Sequence, residues 1–287
     1  MDGILAGELI SKTNRRILIQ QISINFQTMD MRGYLKRINY NGIIFTDLPT
    51  LNSLQHHHVF NIPFETLDIH NHIPIILRLD SLYQKVILDR RGGYCYELNT
   101  LFHRLLSLCG FKVYMIAGRL LHGHGYGREF EHMALIVELE GKKWLIDVGY
   151  GDFSLRPLAI APGEVQSDGR TFYQIMEHIV VDGQEYLSVA KWNDSKQTFK
   201  IEYIFTLTPR NLHEFADMHH FHQTSRESHF ARSLICSLPI PDGRITMINN
   251  RLIRTINGNK QVKQVMNEDH RDKILEKYFH MDMVYLV

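Results

Sequence analysis

The chain has 287 residues, 44% apolar and 22% charged, with Lys plus Arg at 32 against Asp plus Glu at 31. That is enough apolar material for a sizeable core, and so even a charge balance gives no electrostatic footprint for nucleic acid or anionic lipid. Met1 to Thr13 lacks a cationic start followed by an unbroken apolar run, and no apolar stretch approaches membrane-spanning length, so neither a signal peptide nor a membrane partner is expected and a cytoplasmic protein is.

The first ninety residues read as helices. Asp30 can cap a short helix carrying Leu35 and Ile38. Pro49 sits near the start of another, with Leu51 and Leu54 spaced by three, and Asn61-Ile62-Pro63 breaks it. Leu79 to Leu88 is helical again, with Leu82, Val86 and Ile87. Arg90-Arg91-Gly92-Gly93 punctuates the chain. Cys95 to Cys109 then forms the clearest helix, with Leu98, Leu101, Phe102, Leu105 and Leu106 at helical spacing and Gly110 as its C-cap. From Phe111 the pattern turns to strands, over Lys112–Leu121, His132–Leu139 and Lys143–Val148. The last two are joined by a hairpin signal at Glu140-Gly141-Lys142. Further strands are predicted around Phe172–Ile175 and Glu185–Val189, a helix start over Pro209–Met218, strands near Ile245–Ile248 and Arg251–Thr255, and a closing helix over about Val262–Tyr278. The order is helices, then strands, then a mixed unit: an α+β chain without repeats.

Cys95, Cys109 and Cys236 make an odd count with no CxxC pair, so reduced thiols are expected. Cys109 follows Cys95 on one helix, roughly 21 Å away at 1.5 Å per residue, too far for a disulfide. Cys109 and Cys236 read as packing residues. Cys95 follows Gly92-Gly93 and opens the helix, where unpaired amides and the positive dipole end favour a thiolate. The glycines are expected to allow a sharp bend and close approach of a substrate. A buried structural cysteine and a nucleophile are both compatible with this context.

A nucleophilic thiol needs a base, and the base an orienting partner. His132 starts one strand and Asp147 ends the next. With a two-residue loop, Glu140-Gly141 or Gly141-Lys142, the residue opposite Asp147 is Ala134 or Ile136. Both share the parity of His132, so His132 and Asp147 project from one face. In the first register they are diagonal neighbours; a three-residue loop would spoil the parity. His56-His57-His58, His122-Gly-His124 and His219-His220 lack the helical HExxH spacing and read as surface or packing residues, so no metal is expected. Gly123, Gly125 and Gly127 form a glycine-rich loop before His132 that does not join a strand to a helix. It reads as a mobile loop near the site, not a dinucleotide fingerprint.

The run Arg91-Gly-Gly-Tyr-Cys-Tyr-Glu-Leu-Asn99 resembles the signature of the arylamine N-acetyltransferases, Arg-Gly-Gly-aromatic-Cys-x-Glu-x-Asn. Tyr34-Leu35-x-Arg37-Ile38, Ile62-Pro63-Phe64-Glu65-Thr66-Leu67, His132 before its strand, Asp147-Val-Gly-Tyr-Gly151 and Ser228-His-Phe230 are similar to further family motifs, so the resemblance covers nearly the whole chain. It implies an N-terminal helical bundle over 1–98 carrying the nucleophilic cysteine, a central antiparallel β-barrel over 99–205 carrying His and Asp, and a C-terminal α/β lid over 206–287, with a cysteine-protease-like core. It further implies Cys95, His132 and Asp147 as a catalytic triad, and Phe64, Tyr94, Gly149, Tyr150 and Gly151 at the substrate. Acetyl-CoA is the implied donor, releasing coenzyme A; arylamines, arylhydroxylamines or hydrazines are the acceptors, in a ping-pong cycle through an acetyl-cysteine, the chemistry of xenobiotic metabolism. The same three residue types also serve papain- or transglutaminase-like hydrolases and transferases with other acyl donors.

Overall fold

The computed structural model describes residues 29–123 and 125–281; the readings of Met1 to Thr13 and of His124 lie outside them. Asp30 caps α1 (Met31–Arg37), its carboxylate accepting from the amides of Arg32 and Gly33. Asp47 caps α2 (Leu48–Asn61), with Pro49 in the first turn. After Pro63 come β1 (Phe64–Glu65) and the single turn α3 (Leu67–His70). Next is α4 (Leu79–Tyr83), which widens into a π turn over Gln84–Leu88. Helix α5 (Cys95–Leu108) buries Leu98, Leu101, Phe102, Leu105 and Leu106, and Gly110 follows its end at φ +90°.

The strands β2 (Lys112–His122), β3 (Gly125–Tyr126), β4 (His132–Leu139), β5 (Lys142–Ile146), β6 (Leu158–Ala159), β7 (Val165–Ser167), β8 (Phe172–Val181), β9 (Gln184–Asn193) and β10 (Thr198–Phe205) make one antiparallel sheet. Its order is β6-β5-β4-β2-β10-β9-β8-β7, with β3 folded back on β2. The two end strands are bridged by one side chain. Gln166 on β7 takes the amide of Ala159 on β6 at 2.7 Å and donates to the Ala159 carbonyl at 2.9 Å, satisfying edge groups and drawing the sheet toward a barrel. Leu212–Phe215 is a 3₁₀ turn leading into α6 (Ala216–Thr224) and α7 (His229–Arg232). Strands β11 (Ile235–Ile240), β12 (Gly243–Ile248), β13 (Arg251–Ile256) and β14 (Asn259–Gln264) form a second antiparallel sheet, joined at its edge by β1, and α8 (Glu268–Phe279) packs on it. No helix of the described residues is long and apolar enough to cross a membrane.

The period of two along β4 sorts its side chains between cores. Met133, Leu135 and Val137 pack toward α5, while Ala134 and Ile136 fill the barrel interior. Leu139 pairs with Lys142, so the loop is the two-residue Glu140-Gly141, and Leu135 pairs with Ile146. Continued one step, Ala134 faces Asp147, which is the first of the two registers the sequence allowed.

Four expectations change. The closing helix begins at Glu268, because Val262 lies in β14, turned back by Asn257-Gly258 at φ +47° and +79°. The helix placed at Pro209–Met218 opens instead as the 3₁₀ turn from Leu212 and runs on to Thr224. Gly125 pairs back on His122 and the Gly127 amide bonds the Leu120 carbonyl, so this segment prolongs β2 as a hairpin and does not form a free loop. Gly92 and Gly93 do not sit at positive φ; the left-handed residue is Arg90. A Cβ on Gly92 would stand 2.1 Å from the Pro63 carbonyl oxygen, so glycine is required there for close backbone packing against β1. Helix α5 also runs unbroken through residues 98 and 99.

Glu140 and Gly141 occupy the turn at φ +51° and +74°. Replacing Glu140 by Asn, which tolerates this conformation, should raise unfolding stability by about 0.5–1 kcal/mol, and Gly141→Val should lower it by about 1–2 kcal/mol. Urea denaturation measures both; an unaffected Gly141→Val would contradict the register.

Candidate active site

Cys95 is the first residue of α5 and is buried. Its position is fixed from both sides. The amide of Glu65 on β1 bonds the Gly93 carbonyl at 2.9 Å. Three residues on, Glu97 reaches back to the Tyr94 amide at 3.1 Å, satisfying an amide the helix leaves free. Behind this start lies a cluster of five buried or nearly buried charges. Arg91 bridges Glu65 and Asp68 at 2.7 and 2.8 Å, and Lys85 reaches Asp68 at 2.7 Å and Glu97 at 2.8 Å. Three carboxylates share two cations. Burial and the nearby Glu65 and Asp68, only partly offset by Lys85, push the Glu97 carboxyl up to about 7.

His132 and Asp147 sit at one end of the barrel interior, on the face shared with Ala134 and Leu145. The imidazole Nε2 lies 2.6 Å from Asp147 Oδ2, which leaves Nδ1 for the hydrogen bond with Cys95. Burial disfavours a charged imidazole, but the Asp147 carboxylate and the hydrogen bonds to Asp147 and Cys95 outweigh it and lift His132 to about 10. Asp147 is fully enclosed and fully bonded. Its Oδ2 also accepts from Tyr203 at 3.1 Å, and its Oδ1 from Asn99 Nδ2 at 3.1 Å and from the Gly149 amide at 2.9 Å. Tyr150 and Tyr203 hold the imidazole by its faces and edges, with centroids 5.5 and 4.9 Å away. A Cβ on Gly149 would fall 2.6 Å from the Cys95 Cα, so only glycine lets this loop lie against the head of α5.

A cleft of about 620 Å³ opens beside His132. Phe64, Gly149, Tyr150 and Gly151 line it, together with Phe230 of α7 and Arg244 of β12. Tyr94 does not: it is fully buried, stacked on His219 with its hydroxyl bonded to His219 Nδ1. Cys109 and Cys236 are buried away from this cleft, and burial pushes both thiols up. His58 is likewise a core residue, bonded to the Tyr34 hydroxyl at 2.7 Å. Two residues at the site had been given no role. Asn99 lies one helical turn from Cys95 and bonds Asp147, the Met133 carbonyl at 2.7 Å and the Val148 amide at 3.1 Å. Its place four residues beyond the cysteine was a readable signal. Tyr203 lies on β10, a strand the sequence pattern had not marked.

A buried cysteine at a helix start, an imidazole between it and a buried carboxylate, and an aromatic-lined cleft can perform acyl transfer through sulfur. A sequence profile described as N-acetyltransferase matches residues 47–285. Proansamycin X synthase of Amycolatopsis mediterranei (strain S699) is 30% identical over 250 residues, 84% of this chain and 93% of that protein. Human (Homo sapiens) arylamine N-acetyltransferase 1 is 28% identical over 277 residues, 89% of this chain and 95% of that one. The structure of Mycobacterium marinum arylamine N-acetyltransferase in complex with CoA superposes with a TM-score of 0.82 at 26% identity, covering 90% of this chain and 95% of that chain.

Glu97 yields a pH test. Its folded-state value of about 7 lies above the ordinary 4.5, so the parent loses stability as pH rises between those limits. Glu97→Gln, which leaves two cations facing two carboxylates, should lack this loss. Its stability relative to the parent should therefore rise from pH 5 to pH 8 in denaturant titrations; a pH-independent difference would contradict the shared-charge account.

Proposed function

As this chain belongs to the arylamine N-acetyltransferase family and is an acyltransferase, we propose that it transfers acetyl from acetyl-CoA to the nitrogen of an aromatic amine, arylhydroxylamine or hydrazine in two half-reactions through Cys95. The observation that carries this reading is His132, held between Cys95 and the four-fold bonded Asp147. With Asp147 keeping its charge, the imidazole retains the thiol proton, and Cys95 reacts as a thiolate. Its sulfur attacks the acetyl carbonyl carbon, the bond to the coenzyme sulfur breaks, and His132 returns the proton to the departing thiolate. The amine nitrogen then attacks acetyl-Cys95. The carbon–sulfur bond breaks, and the nitrogen's proton passes to His132, restoring the starting pair.

The amides at the start of α5, Cys95's own among them, have no intrahelical acceptor and suit the oxyanion of each tetrahedral intermediate. Phe64 and Tyr150 supply an apolar rim for an aromatic ring, while Gly149 and Gly151 let backbone approach it. Aromatic amines are largely unprotonated at neutral pH, so no further base is needed. In this reading residues 1–98, 99–205 and 206–287 act as nucleophile, base and covering units, and the three free cysteines support a reducing, cytoplasmic setting.

The 30% identical relative is named for a different product, which keeps a second reading in play: the same thiol served by another acyl donor. Both readings are separable in one set of assays. With acetyl-CoA alone, coenzyme A release should stop after one equivalent, leaving one acetyl group on Cys95 by mass spectrometry, and resume when an aniline is added. Reciprocal-rate plots at several fixed acceptor concentrations should be parallel, and Cys95→Ala should abolish the reaction while Cys109→Ala preserves it. Intersecting lines would sink the covalent cycle. Continuous release without amine would indicate a hydrolase, and an unmodified Cys95 that another acyl thioester does modify would establish the second donor reading.

A further inference from the structure

The His219-His220 pair splits at α6. His219 turns inward to Tyr94, while His220 turns outward into a second cleft, of about 890 Å³. This cleft lies between the segment 68–74 and the α6–α7 region, and α7 is the partition between it and the active-site cleft. His229 and Phe230 line the active site; Ala231 and Arg232 line the other side. The two openings are therefore back to back and share no lining residue.

The walls of the second cleft are cationic. Arg226 and Arg232 face it with no ion-pair partner among the described residues, joined by the imidazoles of His70, His72 and His220. Glu227, next to Arg226, is turned away to Arg128 at 3.2 Å. The one acidic residue on the wall is Asp68, and both of its oxygens are already occupied, by Lys85 and Arg91. Two unpaired guanidinium groups therefore meet no compensating carboxylate. Ile69, Ile73 and Pro74 give the same cleft an apolar side against which a ring can lie. A guanidinium presents paired donors that match phosphate oxygens, and the volume is that of a small-molecule site.

We propose that this second cleft binds a phosphate-bearing small molecule of about nucleotide size, separately from the acyl donor. Arg226, in the segment before α7, and Arg232, at its last residue, hold the phosphates, the three imidazoles add donors, and the Ile73-Pro74 side receives the ring. The chemistry alone would also suit the nucleotide portion of coenzyme A; the separation by α7 assigns the cleft to a free ligand.

Isothermal titration of the full chain with inorganic pyrophosphate and with ADP tests this, with adenosine as the uncharged control. Pyrophosphate and ADP should saturate one site, more weakly as salt rises, and adenosine should bind on the order of tenfold or more weaker than ADP. Arg226→Ala/Arg232→Ala should weaken ADP by a similar factor, and Arg226→Lys/Arg232→Lys by less, because charge remains without the fork. Saturating coenzyme A should leave ADP binding unchanged, and the alanine variant should still take one acetyl group on Cys95, so failure here is distinguishable from failure of the acetyl-transfer reading. No saturable binding, binding that survives the alanine pair, or displacement of ADP by coenzyme A would each overturn the proposal.

Discussion

The carboxylate of Asp147 is buried, and the rest of the site is arranged around keeping it satisfied. An unpaired buried charge is among the costliest features a fold can contain. Here each donor comes from a different part of the chain: Asn99 from α5, His132 from β4, Tyr203 from β10, and the Gly149 amide from the loop that follows Asp147 itself. The helix that begins at Cys95, the hairpin that carries His132 and strand β10 therefore meet at one group. The charge that organises these contacts also holds the imidazole in its protonated form, so the interaction that assembles the site sets its chemistry.

The head of α5 shows a second use of buried charge. Glu97 caps the helix while sharing Lys85 with Glu65 and Asp68, and Arg91 ties those two to the segment before Cys95. Backbone fit completes the arrangement: Gly92 lies too close to Pro63, and Gly149 too close to Cys95, for either to carry a side chain. Cys95 is thereby located by its neighbours on three sides. Helix α6 turns Tyr94's partner His219 inward, and on the outer side of α6 and α7 lies the cationic cleft behind the active-site wall.

Much of this was legible in the sequence because it rests on short-range geometry. Side chains alternate with period two, and a two-residue loop fixes which residues face each other, so the shared face of His132 and Asp147 followed from counting. The helix over Cys95–Leu108 followed from apolar spacing alone. What escaped depends on distant partners or on signals overridden by others. Gln166 bridges the sheet's two end strands through the backbone of Ala159, a pairing no local pattern encodes. Tyr203 owes its role to β10 lying beside β2. The purpose of Gly92 is visible only once Pro63 is beside it. Val262 was placed in the closing helix, although Asn257-Gly258 upstream was a hairpin signal. Tyr94, expected at the substrate, spends its hydroxyl on His219 instead.

The charge state of His132 tests the central claim most directly. Nitrogen-15 NMR of ring-labelled protein should show His132 as an imidazolium through pH 8, deprotonating only near pH 10. Its contribution to stability should accordingly be complete below the ordinary value of 6.5 and lost as pH rises through that upper limit. In Asp147→Asn, which keeps the shape and removes the charge, the midpoint should fall toward the ordinary value. A parent His132 that titrates near 6.5, unmoved by Asp147→Asn, would contradict the account.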